Sequence, residues 1–127
     1  MARRMKSIMG DHYERLGLDK GMDVGSFVKL FGGDPDEMPE TYALYSPLSH
    51  VHPGCPPTLL IQGEDDMLTP LGATRDLYNK LVRAGVPAVL VVFPQTDHGF
   101  DLVLPDLSPT AQAALYDIER FLALLAG

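Results

Sequence analysis

The sequence predicts an α/β fold in which parallel strands alternate with helices. Three observations carry that prediction. Thr58–Ile61 (TLLI) and Ala88–Phe93 (AVLVVF) are short, unbroken apolar runs, the pattern of strands buried on both faces of a parallel sheet. The segment between them repeats apolar residues at helical spacing: Ala73, Leu77, Leu81 and Ala84. Short turns bounded by Gly and Pro join the three pieces, which makes a strand–helix–strand unit whose crossover is almost always right-handed.

Taken in order, residues 2–16 have helical potential, with Met5, Ile8, Met9 and Leu16 towards one side, weakened by Gly10. Residues 22–31 form a second short amphipathic pattern that Gly32-Gly33 and Pro35 stop. Residues 32–57 read as a long loop, which a compact domain rarely keeps unless it packs on something or serves a site. After the first strand, Thr69 is placed as N-cap and Pro70 as first helical residue, because a proline there loses no needed N–H. Gly85 supplies a left-handed terminus and Pro87 prevents continuation. The second strand leads into a loop over 94–107. Ser108-Pro109 then repeats the cap-plus-proline start of a final helix, whose stripe of Ala111, Ala114, Leu115, Ile118, Phe121, Leu122 and Leu125 is read as core. No internal repeat or low-complexity segment is present.

Composition narrows the function classes. The chain has 127 residues, room for one domain with a modest core. A net charge of −7 argues against nucleic acid or an anionic membrane as the main partner. The acidic stretch from Phe31 to Gly72, which lacks Lys and Arg, reads as a solvated face. Cys55 is the single cysteine, so no internal disulfide forms, and between Gly54 and Pro56 it reads as a small loop residue. The start MARRMKSIMG has basic residues with no apolar stretch behind them, and no run approaches a membrane span, so the expected location is the cytoplasm.

Chemistry gathers at the ends of the two strands. Gly63-Glu64-Asp65-Asp66-Met67-Leu68-Thr69-Pro70 follows the first strand, and Gln95-Thr96-Asp97-His98-Gly99-Phe100 follows the second. In an open α/β sheet that rim is where ligands and catalytic groups collect. Adjacent strands lie about 4.8 Å apart, so a hydrogen bond between Asp66 and His98 is within easy reach. Glu64 and Asp65 are read as acids near a helix start, interacting with its dipole, and Asp97 and Asp101 as solvated flanks of the histidine. His50 and His52 could reach one metal ion, but no third ligand stands at useful spacing.

The Gly-x-x-Asp-x-x-x-Pro and His-Gly-aromatic segments, with Ser46-Pro47-Leu48 before them and Ala84-Gly85-Val86-Pro87 between, resemble the acid and histidine parts of the α/β-hydrolase family. Within it, esterases and lipases of the hormone-sensitive-lipase type and prolyl-oligopeptidase-like hydrolases are the most similar. The resemblance covers residues 46–126. It implies a partial α/β-hydrolase domain over 1–127, with 1–45 a helical and loop lead-in and 46–127 the βαβα unit. It also implies that Asp66 is the triad acid and His98 the general base, with no cofactor and no metal. The family's Gly-x-Ser-x-Gly elbow is not matched by Ser7, Ser26, Ser46, Ser49 or Ser108, and no His-Gly-Gly-Gly oxyanion segment occurs. The expectation is therefore the C-terminal portion of a serine hydrolase acting on a small ester or peptide, inactive until a nucleophile comes from upstream or from another chain. A prolyl-oligopeptidase-like peptidase fragment is the alternative of the same fold. A non-catalytic module that self-associates through its open sheet edge is the alternative of another class, and a small metal-binding module using His50 and His52 is a further one.

Overall fold

The computed structural model describes residues 24–102 and 104–127. The helix expected over 2–16 lies outside them, as do the first two residues of the one expected over 22–31. The chain divides between Ser46 and Pro47 into two compact units.

In the first unit, α1 (Val24–Phe31) ends where Gly32 turns left-handed at φ +87°. The expected long loop over 32–57 is corrected by a second helix, α2 (Pro39–Tyr45), and in the other unit by a 3-10 turn over Pro47–His50. Proline at the first helical position and Glu40 in the first turn were the readable signals for α2. Ahead of it, Asp34 Oδ1 accepts the N–H groups of Asp36 (2.9 Å) and Glu37 (3.0 Å). The Phe31 ring meets Tyr42 edge-on, centroids 4.8 Å apart, and stacks on Tyr45 at 5.1 Å.

The second unit holds β1 (Thr58–Gly63), α3 (Leu71–Arg83), β2 (Ala88–Phe93) and α4 (Pro109–Ala126). The strands pair in parallel, from Thr58 opposite Ala88 to Gly63 opposite Phe93. They make a partial α/β-hydrolase fold, two parallel strands with flanking helices. The start of α3 differs from expectation: Pro70, not Thr69, holds the N-cap position, and no side chain caps there. At its other end the Gly85 N–H reaches the Val82 carbonyl and the Val86 N–H reaches that of Leu81, both at 3.0 Å, with Gly85 at φ +77°. This is a Schellman terminus, and the side chains at its two ends, Leu81 and Val86, are both buried. Ser108 caps α4 as expected, its Oγ accepting the Ala111 N–H.

The core is small. Leu81, Val86, Ala111 and Ala114 are its buried apolar members among the described residues. Neither strand is buried on both faces: Thr58–Ile61 are half-exposed and Val89 is 44% exposed. Each strand also has one paired edge and one unpaired edge among the described residues. The stripe of α4 read as core is buried only at Ala111 and Ala114; Leu115, Ile118, Leu122 and Leu125 are exposed, the first two lining an open recess beside Ile61. No helix among the described residues is long and apolar enough to cross a membrane.

One close approach sets the rim of the sheet. The Glu64 N–H donates to the Phe93 carbonyl (2.8 Å) and the Asp65 N–H to the Thr96 carbonyl (2.9 Å), so the chains leaving β1 and β2 stay paired past the strand ends. The Thr96 backbone there lies over Gly63. A Cβ on Gly63 would stand 2.7 Å from the Thr96 carbonyl carbon and nearer still to its oxygen. Gly63→Ala therefore has to push the two loops apart, with an expected loss of about 1–3 kcal/mol. Gly72→Ala, in α3 with open space around its Cα, should instead gain about 0.5–1 kcal/mol. Urea unfolding of the two variants checks both signs.

Candidate active site

Asp66 and His98 meet at this rim. The His98 Nδ1 lies 3.0 Å from Asp66 Oδ2. The carboxylate is fixed from both sides, because Oδ1 accepts the N–H groups of Leu68 (2.9 Å) and Thr69 (2.7 Å). An aspartate whose side chain grips the backbone two and three residues on forms an Asx turn. That turn both delivers the chain into α3 and leaves Oδ2 for the imidazole. The side chain of Asp66 is 8% exposed, that of His98 49%. Burial pushes the Asp66 pKa up, but the Thr69 N–H, His98 and the Leu68 N–H together outweigh it and hold the carboxyl below its ordinary value. Asp66 is accordingly held as an anion against the His98 ring.

The two residues line an open recess with Leu60, Ile61, Gln62, Thr69 and Thr74. Gln62 was not singled out by sequence reading. Its buried side chain donates to the Thr69 carbonyl and accepts from the Thr74 hydroxyl, tying the end of β1 to the start of α3. A polar residue closing an apolar strand was the available signal. Asp97 was read as solvated, yet its Oδ1 accepts the N–H groups of His98 (2.7 Å) and Met67 (3.2 Å). Asp101 is exposed. Glu64 and Asp65 are exposed and lie outside the first turn of α3, so their expected dipole role gives way to the backbone pairing already described.

The other candidates serve local structure. His52 Nδ1 accepts the Gly54 N–H (3.1 Å), and the Cys55 thiol bridges the His52 N–H (3.4 Å) and the His50 carbonyl (3.7 Å). Among the described residues no three His, Cys, Asp or Glu side chains converge on a point suited to a metal ion. Ser46 ends α2, Ser49 lies in the 3-10 turn and the Ser108 hydroxyl caps α4. No serine among the described residues hydrogen-bonds His98. The pair is arranged so that it can hold, accept and return a proton.

Comparison with known proteins shows the family to which the chain is similar. Residues 23–117 match the model of the prolyl oligopeptidase family. That match begins well before residue 46, where the sequence resemblance starts, and so takes in α1 and α2. Esterase LipU of Mycobacterium tuberculosis is 35% identical over 98 residues, 75% of this chain and 29% of LipU. Carboxylesterase/phospholipase LipF of the same organism is 39% identical over 82 residues, 62% of this chain and 20% of LipF. The probable carboxylic ester hydrolase LipM is 31% identical over 85 residues, 66% of this chain and 19% of LipM. The chain thus spans less than a third of the length of these curated relatives. Among solved structures, a truncated carbohydrate esterase from gut microbiota superposes with a TM-score of 0.51 at 33% identity, covering 53% of this chain and 24% of the other.

The depressed Asp66 pKa has a consequence for stability. A carboxyl whose folded pKa lies below its unfolded value of roughly 3.9 adds stability that is fully present above that value. The stability is lost as pH falls through the folded pKa. The gap in urea midpoint between the wild type and Asp66→Asn should be widest above about pH 5 and should close on acidification. A gap that stayed constant down to acid pH would remove the charge from the account.

Proposed function

The chain belongs to the prolyl oligopeptidase family, and from that premise we propose that it supplies the acid and base of a Ser–His–Asp centre that hydrolyses carboxylic esters. Asp66 is the acid, His98 the base, and the nucleophilic serine lies outside these 127 residues, on a longer polypeptide or a second chain. The observation that carries the reading is the 3.0 Å contact of Asp66 Oδ2 with His98 Nδ1. It holds Nδ1 as the donor and leaves Nε2, which has no hydrogen bond among the described residues, to take the proton of an incoming hydroxyl. In the first half-reaction Nε2 accepts the serine proton as Oγ attacks the carbonyl carbon, and then returns it to the departing alcohol. Water replaces the alcohol in the second half and releases the acid by the same proton path. Asp66 stays ionised throughout and stabilises the imidazolium that forms each time.

Esters are favoured over peptides as substrates because the curated relatives that match bear esterase names. The peptidase reading is kept by the family whose model spans residues 23–117. The two part on whether the completed centre turns over p-nitrophenyl esters or prolyl anilides.

Two experiments test the proposal. Intact mass of the folded chain after treatment with a fluorophosphonate should show no adduct; one adduct, lost in His98→Ala, would place the nucleophile inside the chain. A chimera in which this chain replaces the matched 98-residue stretch of LipU should turn over p-nitrophenyl esters. His98→Ala should then cost on the order of a million-fold in kcat and Asp66→Ala on the order of ten-thousand-fold. A folded chimera with no turnover, or one indifferent to His98, would sink the assignment.

A further inference from the structure

Backbone contact between the acid loop and the histidine loop runs as far as Thr96, whose carbonyl sits over Gly63 and accepts the Asp65 N–H. His98 lies two residues beyond that contact, is half-exposed, and precedes Gly99, a left-handed residue at φ +66°. Beyond His98 the chain is held by the Phe100 ring, edge-on to Phe93 at 5.5 Å, so the peptide between Thr96 and His98 is the stretch still in need of an anchor. Asp97 supplies it. One carboxylate oxygen takes the N–H of His98 at 2.7 Å and, across 30 residues of sequence, the N–H of Met67 at 3.2 Å. Met67 is the residue after Asp66. The two loops are thus joined by carboxylates pointing in opposite directions: Asp66 reaches from its loop to the side chain of His98, and Asp97 reaches back to the backbone beside Asp66. A carboxylate oxygen has lone pairs for both N–H groups at once, so one side chain spans the two loops.

We infer that Asp97 is the positioning residue of the proposed centre: it fixes the His98 backbone to Met67 and so sets the imidazole against Asp66. The inference rests on the acid–base reading of Asp66 and His98, yet its geometry is tested separately. In the 127-residue chain labelled with 15N and 13C, a scalar coupling through the hydrogen bond should appear between the Met67 amide nitrogen and the Asp97 carboxyl carbon. The backbone bond from the Val86 N–H to the Leu81 carbonyl serves as internal reference. This measurement needs no variant, so it stands even if substitutions at 97 fail to fold.

The second arm reads the downfield Nδ1 proton of His98. It should be present in the wild type, kept in Asp97→Asn, which retains an acceptor oxygen, kept in the control Asp101→Asn, and lost in Asp97→Ala. Absence of the Met67–Asp97 coupling while the reference is seen, or an undiminished Nδ1 signal in folded Asp97→Ala, would overturn the inference. Absence of the Nδ1 signal from the wild type itself would instead count against the Asp66–His98 pairing, with the coupling still reporting on the clamp.

Discussion

Everything at the working edge of this protein depends on how closely two backbones can approach at Gly63. The parallel register sets Gly63 opposite Phe93, and the chain beyond Phe93 then folds over it until the Thr96 carbonyl rests where a side chain would stand. Because nothing projects from Gly63, the Asp65 N–H can reach that carbonyl, and the two loops leave the sheet already joined. The loops that carry Asp66 and His98 are brought side by side by this contact, and the side chains of Asp66 and Asp97 complete the placement.

Onto that scaffold the carboxylate of Asp66 adds a division of labour between its oxygens. Oδ1 belongs to the backbone of Leu68 and Thr69, and Oδ2 belongs to His98. The same turn that starts α3 therefore aims the acid, and Gln62 braces the turn from below through Thr69 and Thr74. Desolvation of a carboxylate is costly on its own. Here the surrounding N–H groups and the imidazole more than offset it, which keeps the group charged beside His98.

Much of this was legible in the amino-acid sequence, and for identifiable reasons. The two strands announced themselves because a parallel sheet asks for unbroken β-branched runs, and Gly85 and Ser108 because left-handed and capping positions accept few residue types. Asp66 and His98 were readable because each follows a strand end by a few residues. What escaped was of a different kind. Helix α2 was hidden among prolines and acids that read as loop, although Pro39 and Glu40 are a helix start. Asp97 and Gln62 act through partners distant in sequence, Met67 at 30 residues and Thr74 at 12, and a single sequence carries no sign of such pairs. The Asx turn displaced the expected cap at Thr69 for a related reason: the side chain that organises that start sits three residues earlier.

The parallel register also determines where changes in chain length can be absorbed. Strand side chains alternate between faces with a period of two, at about 3.3 Å per residue. A single residue gained or lost between Gly63 and Asp66, or between Phe93 and His98, falls in the short turns beyond the strand ends and has to disturb the 3.0 Å contact of the pair. The same change after Phe100, on the way to Ser108, lies downstream of both partners and leaves their spacing intact. The chain lengths from Gly63 to Asp66 and from Phe93 to His98 thus act as the two arms of a caliper whose jaws are the carboxylate and the imidazole.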